Sequence, residues 1–217
     1  MASRFTRESL EELGTKAPII VTPYGFPTAE FAPKAAPPSG PFTVLSVGSH
    51  DLRKGTPYLL EAWKKADLEG ARLRLVGRMR LRKEFLERYG ALFASGRIEH
   101  VPHRAKSELA ADYQAADLLV FPTLGDGFGI VLQEAMCCAT PVLTTRCGGG
   151  PEIVSDGDDG FLVSERDVDA LAMHFRDLAQ RRDHLADMGR RARARAERWT
   201  WLDSGLAAAA AMARYLP

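Results

Sequence analysis

From residue 42 onward the chain alternates two hydrophobic patterns. Short apolar runs close at glycine or proline, and stretches with apolar positions every three or four residues lie between them. The segments at 42–47, 73–76, 98–101, 118–121, 141–145 and 161–163 read as strands; where apolar positions are successive, as at 118–121, the run fits a strand buried on both faces. The stretches at 56–66, 80–93, 107–115 and 128–138 read as helices. In the first, Leu59, Leu60 and Trp63 share a face, and Ser107 is the expected cap of the third. Helices are expected over most of 167–216. Strands alternating with helices at this spacing imply right-handed crossovers and an α/β fold with a parallel sheet flanked by helices. Ligands of such sheets bind beyond the carboxyl ends of the strands.

The chain before residue 42 differs. Residues 5–13 read as a helix capped by Thr6 and stopped by Gly14. Ile19, Ile20 and Val21 read as a short strand ended by Pro23, Tyr24 and Gly25. The Pro-, Ala- and Gly-rich segment 27–41 reads as a linker or extended entry loop rather than a packed element. The expected division is therefore 1–41 (helix, short strand, linker) and 42–217 (the sheet domain).

Composition narrows the function classes. The 217 residues are 46% hydrophobic and 26% charged, ordinary for a globular protein. A net charge of +1 gives no field for nucleic acid. The first residues lack the apolar core of a signal peptide, and the Ala-rich run 206–213 is too short to span a bilayer, so a cytoplasmic location is expected. Cys137, Cys138 and Cys147 have neither zinc-finger nor redox spacing and are expected to be reduced. His50, His100 and His103 lack metal-ligand spacing, so no metal is expected. The arginine run from Arg181 to Arg198 reads as a solvated helix face, with attraction to an anionic membrane surface as the alternative.

The chemistry gathers at the expected strand ends. Gly125, Asp126, Gly127, Phe128 and Gly129 form a turn that opens a helix through Ile130. The first amides of a helix lack internal partners and attract a phosphate where no side chain blocks it. Asp126 then stands where it can accept a hexose hydroxyl, and Glu134 where its two oxygens can take a ribose diol. The same pattern also fits a helix cap for Asp126 and a solvated position for Glu134. Arg53 and Lys54 lie in the loop after the first strand and can neutralise a diphosphate leaving group, or form an ordinary basic turn. Gly148, Gly149 and Gly150, followed by Glu152, imply a close backbone approach, read here as a wall of the ligand cleft.

These residues resemble the donor-binding, C-terminal domain of retaining GT-B glycosyltransferases, and the likeness runs from about Pro18 to Leu216. Val47 and Gly48 through Lys54 and Gly55 are similar to that family's first-strand motif, and Asp126 to Glu134 to its pair of acids seven residues apart. Thr140 to Val142, Gly149 to Glu152, Gly160 to Val163 and the Trp199, Thr200, Trp201 segment continue the likeness. The resemblance implies a Rossmann-like half of a GT-B fold. It implies that Lys54, with Arg53, stabilises the diphosphate and that Glu134 binds ribose. Gly127, Phe128 and Gly129 would present backbone to phosphates and sugar, while Arg78 and the Ile98 to Val101 segment would border the base. It implies a nucleotide diphosphate sugar as substrate, no further cofactor, and an N-terminal acceptor domain as the missing partner. The parent protein could also meet a membrane peripherally. Two departures stand out: Asp126 replaces the usual glutamate, and Ser49 stands where many relatives carry arginine. This polypeptide alone is expected to transfer nothing and to self-associate through Leu202, Leu206 and Tyr215 of its closing helix. The alternative is a non-catalytic nucleotide or nucleotide-sugar binding module that needs a partner domain. An epimerase would also need two domains, and a phosphorylase would need a pyridoxal phosphate lysine that the sequence does not reveal.

Overall fold

The structure is a computed structural model that describes residues 1–215; the expected reach of the last helix to Leu216 lies outside the described residues. Six strands form one parallel sheet: β1 (Thr43–Val47), β2 (Arg72–Val76), β3 (Ile98–Val101), β4 (Leu118–Phe121), β5 (Val142–Thr145) and β6 (Gly160–Val163). Their spatial order is β3-β2-β1-β4-β5-β6, so the order reverses between β1 and β4 and leaves a crevice beyond their carboxyl ends. Successive residues feed opposite faces of the sheet. Leu45, Val47, Leu119 and Phe121 enter one core, while Val44, Leu118 and Val120 enter the other.

Helix α2 (Thr56–Ala66) keeps the boundaries its periodicity predicts, burying Leu59, Leu60 and Trp63. Trp63 meets Phe175 of α8 (Val168–Gln180) edge to face, with ring centroids 5.6 Å apart. The expected helix over 80–93 is broken into α3 (Lys83–Leu86), a 3-10 turn (Glu87–Tyr89) and α4 (Gly90–Ala94). Tyr89 leaves helical geometry (φ −115°, ψ 9°) and is buried, with its hydroxyl donating to Glu61 at 2.7 Å. Helix α5 (Lys106–Ala115) starts before Ser107, and the Glu108 carboxylate, not Ser107, takes the Ala105 amide at 2.9 Å. Helix α6 (Ile130–Cys137) starts after Gly129, and α7 (Gly150–Ile153) is a single turn. Helices α9 (Arg182–Ala196) and α10 (Trp201–Ala213) close the described chain.

The first forty-one residues depart most from expectation. Helix α1 (Arg4–Glu12) is capped by Ser3, whose hydroxyl accepts from the Thr6 amide; Thr6 is inside the helix, not its cap. Ile19, Ile20 and Val21 form no strand. The N-terminal amine donates to the Ile20 carbonyl at 2.6 Å and the Thr22 amide to the Met1 carbonyl at 2.7 Å, so this run is tied to the chain start rather than to a sheet. Segment 27–41 is irregular but packed. Phe31 is buried against Tyr113, Lys34 donates to the Ala116 carbonyl at 2.6 Å, and Arg182 donates to the Pro38 and Gly40 carbonyls. Arg193 likewise donates to the Phe31 and Cys137 carbonyls at 2.9 Å. The arginine run is thus partly a set of staples, since a guanidinium fork satisfies carbonyls that an irregular segment leaves open.

Candidate functional site

The crevice between β1 and β4 is closed in by the loops that leave those strands. Gly55, with φ +71°, makes their contact possible: a Cβ there would stand 1.8 Å from the Pro122 carbonyl oxygen. Close approach carries Lys54 across the crevice, where its ammonium lies 4.9 Å from the Phe121 ring centroid and pairs with the Asp126 carboxylate. Both side chains are largely sheltered, at 16% and 19% exposure, so their attraction is screened less than at an open surface. Arg53 turns elsewhere. Its guanidinium donates to the Gly125 carbonyl at 3.0 Å and its carbonyl accepts from the Leu124 amide at 2.8 Å, so it ties the two loops together.

The glycine turn is held from three sides. Asp126 donates its amide to the Cys147 carbonyl at 3.1 Å, and its carboxylate accepts from the Phe128 amide at 3.4 Å. The Gly149 amide donates to the Phe128 carbonyl at 2.9 Å, and a Cβ on Gly149 would stand 2.4 Å from that oxygen. The triple glycine therefore approaches the back of the turn; it is not a wall of the cleft. From the third side, the Ser3 and Thr6 hydroxyls donate to the Gly127 carbonyl at 2.7 and 3.1 Å. Gly129, not Asp126, occupies the cap position of α6. The amides of Gly129, Ile130 and Val131 have no acceptor among the described residues, which leaves a helix start open to an anion.

Two compartments meet at Val47 and Gly48. The first, about 420 Å³, is lined by Lys54, Phe121, Asp126, Gly127, Phe128, Gly129 and Ile130, with Met1, Ala2 and Thr6 opposite. The second, about 370 Å³, is lined by Ser49, Arg78, Arg80, His103, Arg104 and Leu109. Arg104 pairs with Asp112 at 3.1 Å, whereas Arg78 and Arg80 have no carboxylate in range among the described residues. Beneath the second compartment, His100 Nε2 meets the Gly77 carbonyl at 2.8 Å, and the buried His50 ring stands 6.2 Å from His100. Burial, with His100 beside it, pushes the His50 pKa down to about 4.

The structure thus brings Gly48, Lys54, Asp126, Gly127, Phe128, Gly129, Ile130 and Arg78 to one crevice. Ile98 does not join them; it starts β3, at the opposite end of the strand, and is buried in the core, while Val101 packs against the other core. Glu134 lies under α5, buried, with one oxygen accepting from the Tyr113 hydroxyl at 2.7 Å. Only its other oxygen has no partner among the described residues, so a diol would meet one oxygen rather than two. Burial raises the Glu134 pKa above the usual carboxylate value. Sequence reasoning passed over Arg80, Arg104, Ser3 and Thr6. Arg80 was legible as the next alternate position after Arg78 beyond a strand end; Ser3 carried no signal and Thr6 only that of a helix cap, because their shared partner lies more than a hundred residues away.

A parallel sheet with reversed strand order and flanking helices defines a Rossmann-like α/β domain, with an open helix start and a lysine at its crevice. Residues 27–195 match the glycosyl transferases group 1 family, and the chain belongs to that family. It is 33% identical over 171 residues to a D-inositol 3-phosphate glycosyltransferase of Pseudarthrobacter chlorophenolicus, covering 75% of this chain and 40% of that protein. Among solved structures, sucrose-phosphate synthase from Thermosynechococcus elongatus superposes with a TM-score of 0.83 at 27% identity, over 99% of this chain and 57% of the other. Anabaena HepE in complex with UDP and glucose superposes with a TM-score of 0.84 at 22% identity, over 98% and 61%. The chain thus spans less than half the length of that curated relative.

Proposed function

We propose that this chain is the donor-binding, C-terminal half of a retaining GT-B glycosyltransferase, taking a nucleotide diphosphate sugar whose base is uracil. The observation that carries the reading is the Lys54–Asp126 pair beside the open start of α6, at the point where strand order reverses. Lys54 and the α6 amides would receive the diphosphate and neutralise the charge that grows on it as the glycosidic bond breaks. The arriving phosphate competes for Lys54 and releases Asp126 to accept a sugar hydroxyl. Arg78 and Arg80 would face the nucleoside side, and the open oxygen of Glu134 would accept from ribose. UDP is favoured because a solved relative of the same fold holds UDP at 22% identity. Metal ligation plays no part in this scheme. The acceptor site would come from a second domain, so the chain alone should bind donor and transfer nothing. Membrane contact of the parent would come from elsewhere than a spanning helix of the described residues, none of which is long and apolar enough to cross. The buried thiols of Cys137 and Cys138 suit a reducing, cytoplasmic setting.

A thermal-shift screen of UDP, GDP and ADP, each with and without common sugars, tests the reading. A shift with UDP and its sugars alone supports it. A larger shift with GDP or ADP overturns the base, and no shift with any of them overturns the donor role.

A further inference from the structure

We infer that the first turn of α1 is a positioning element for the glycine turn: Ser3 and Thr6 hold the Gly127 carbonyl so that the turn is ordered before ligand arrives. The inference rests on the donor-site reading only for its effect on nucleotide affinity.

Ser3 is fully buried, and its hydroxyl stands 3.0 Å from that of Thr6. Its hydroxyl accepts the Thr6 amide, which caps α1, and donates to the Gly127 carbonyl at 2.7 Å. The Thr6 hydroxyl donates to the same carbonyl at 3.1 Å. One residue further along, the Arg4 amide donates to the Glu152 carboxylate at 2.9 Å, and Glu152 belongs to α7, directly after the glycines that back the turn. The Phe5 ring lies against Gly125. Thus the first turn of α1 touches the glycine turn at Gly125 and Gly127 and touches the element behind it, while Ala2 and Thr6 also line the cleft opposite Lys54.

Such bracing bears on Gly127 because the other ties of the turn reach Gly125, Asp126 and Phe128 and leave the Gly127 peptide to Ser3 and Thr6. Gly125, Gly127 and Gly129 alternate along the turn, and a Cβ built on Gly127 would point into open space. Glycine loses more backbone freedom on ordering than any other residue. If α1 already fixes the Gly127 peptide, a diphosphate arriving at the α6 amides need not meet that cost, which is pre-organisation in the ordinary sense. A helix cap alone would require only the Ser3–Thr6 contact; the two hydroxyls converging on one distant carbonyl are what the bracing adds.

The test separates the two roles of Ser3. Ser3→Asp keeps an acceptor for the Thr6 amide but, as a carboxylate, cannot donate to Gly127. Thr6→Val removes the second hydroxyl at nearly constant shape. Ser3→Thr keeps both functions. Hydrogen exchange of the whole chain without ligand, followed by calorimetric titration with UDP, reads each variant. Bracing predicts that Ser3→Asp and Thr6→Val speed exchange at residues 126–130 while β1 and β4 stay protected. It also predicts that both lower UDP affinity about tenfold, and that Ser3→Thr matches the original chain. Unchanged exchange at 126–130 in both variants overturns the inference, as does faster exchange with undiminished UDP affinity. Exchange that responds as predicted in a chain that binds no UDP sinks the donor reading and leaves the bracing standing. If Ser3→Asp fails to fold, Thr6→Val and Ser3→Thr decide the matter.

Discussion

Lys54 and Asp126 neutralise one another across the crevice, so removing either should move nucleotide affinity in opposite directions. Asp126→Asn removes the competitor for Lys54 and a negative charge beside the diphosphate; UDP without its sugar should bind several-fold tighter, measured by calorimetry. Weaker UDP binding by Asp126→Asn would show that the carboxylate is not a competitor. Glu134 calls for a different substitution than a truncation. Glu134→Ala would leave the fully buried Tyr113 hydroxyl without an acceptor, a loss of about 1–3 kcal/mol that mixes folding with binding. Glu134→Gln keeps an acceptor. Because burial raises the Glu134 pKa, its protonated form is the one the fold favours; stability is present in acid and lost as pH rises through the raised value. Glu134→Gln should therefore melt above the original chain at pH 7, with the gap closing as pH falls; a gap that widens in acid contradicts this. His50 has the opposite sign. Its pKa is about 4 in the fold against 6.5 when free, so the unfolded chain takes up a proton first as pH falls. Stability on the order of 3 kcal/mol should drain between about pH 6.5 and 4. His50→Asn should flatten that slope in urea titrations, and an unchanged slope would place the acid sensitivity elsewhere.

At the scale of elements, the crevice depends on backbone approaches that a single methyl would disturb. Gly149→Ala places a Cβ 2.4 Å from the Phe128 carbonyl oxygen, so the glycine turn must shift. About 1–3 kcal/mol of stability should be lost, with UDP affinity falling alongside, by denaturant titration and calorimetry; full affinity with only lost stability would detach the triple glycine from the site. The same scale shows what was legible beforehand. Helix α2 and strand β4 stand at their predicted boundaries because their signals are local: an apolar run closed by a proline, and a helical stripe after a glycine. The break at Tyr89 was not legible, since it follows from a buried ring whose hydroxyl finds Glu61 on another helix. Segment 27–41 looked like a linker because its anchors, Arg182 and Arg193, come from far along the chain. Lys54, Asp126 and the glycine turn were legible as strand-end chemistry, whereas Arg53 beside Lys54 could not be told apart from it until the backbone direction was known. Glu134 was legible as a helix residue, but its hydrogen bond to Tyr113 depends on how α5 packs on α6.

The whole molecule carries an apolar face that the described residues do not cover. Trp201, Leu202, Leu206, Met212 and Tyr215 are exposed at or beyond α10, and a groove of about 630 Å³ runs between that helix, Leu10, Ile19 and Ile20. Exposed apolar surface of this kind seeks a partner. Alone, the chain should self-associate at high concentration, and Leu202→Glu with Leu206→Glu should abolish this by light scattering; a strictly monomeric original chain would argue against an unpartnered face. The central claim is the proposal that the crevice between β1 and β4 holds a nucleotide diphosphate through Lys54. Calorimetric titration of UDP into the original chain and into Lys54→Ala, in low salt, tests it most directly. The account predicts saturable one-to-one binding by the original chain and at least about a tenfold loss in Lys54→Ala, with the melting temperature without ligand little changed. Equal affinity in the two chains, or no binding in either, would contradict it.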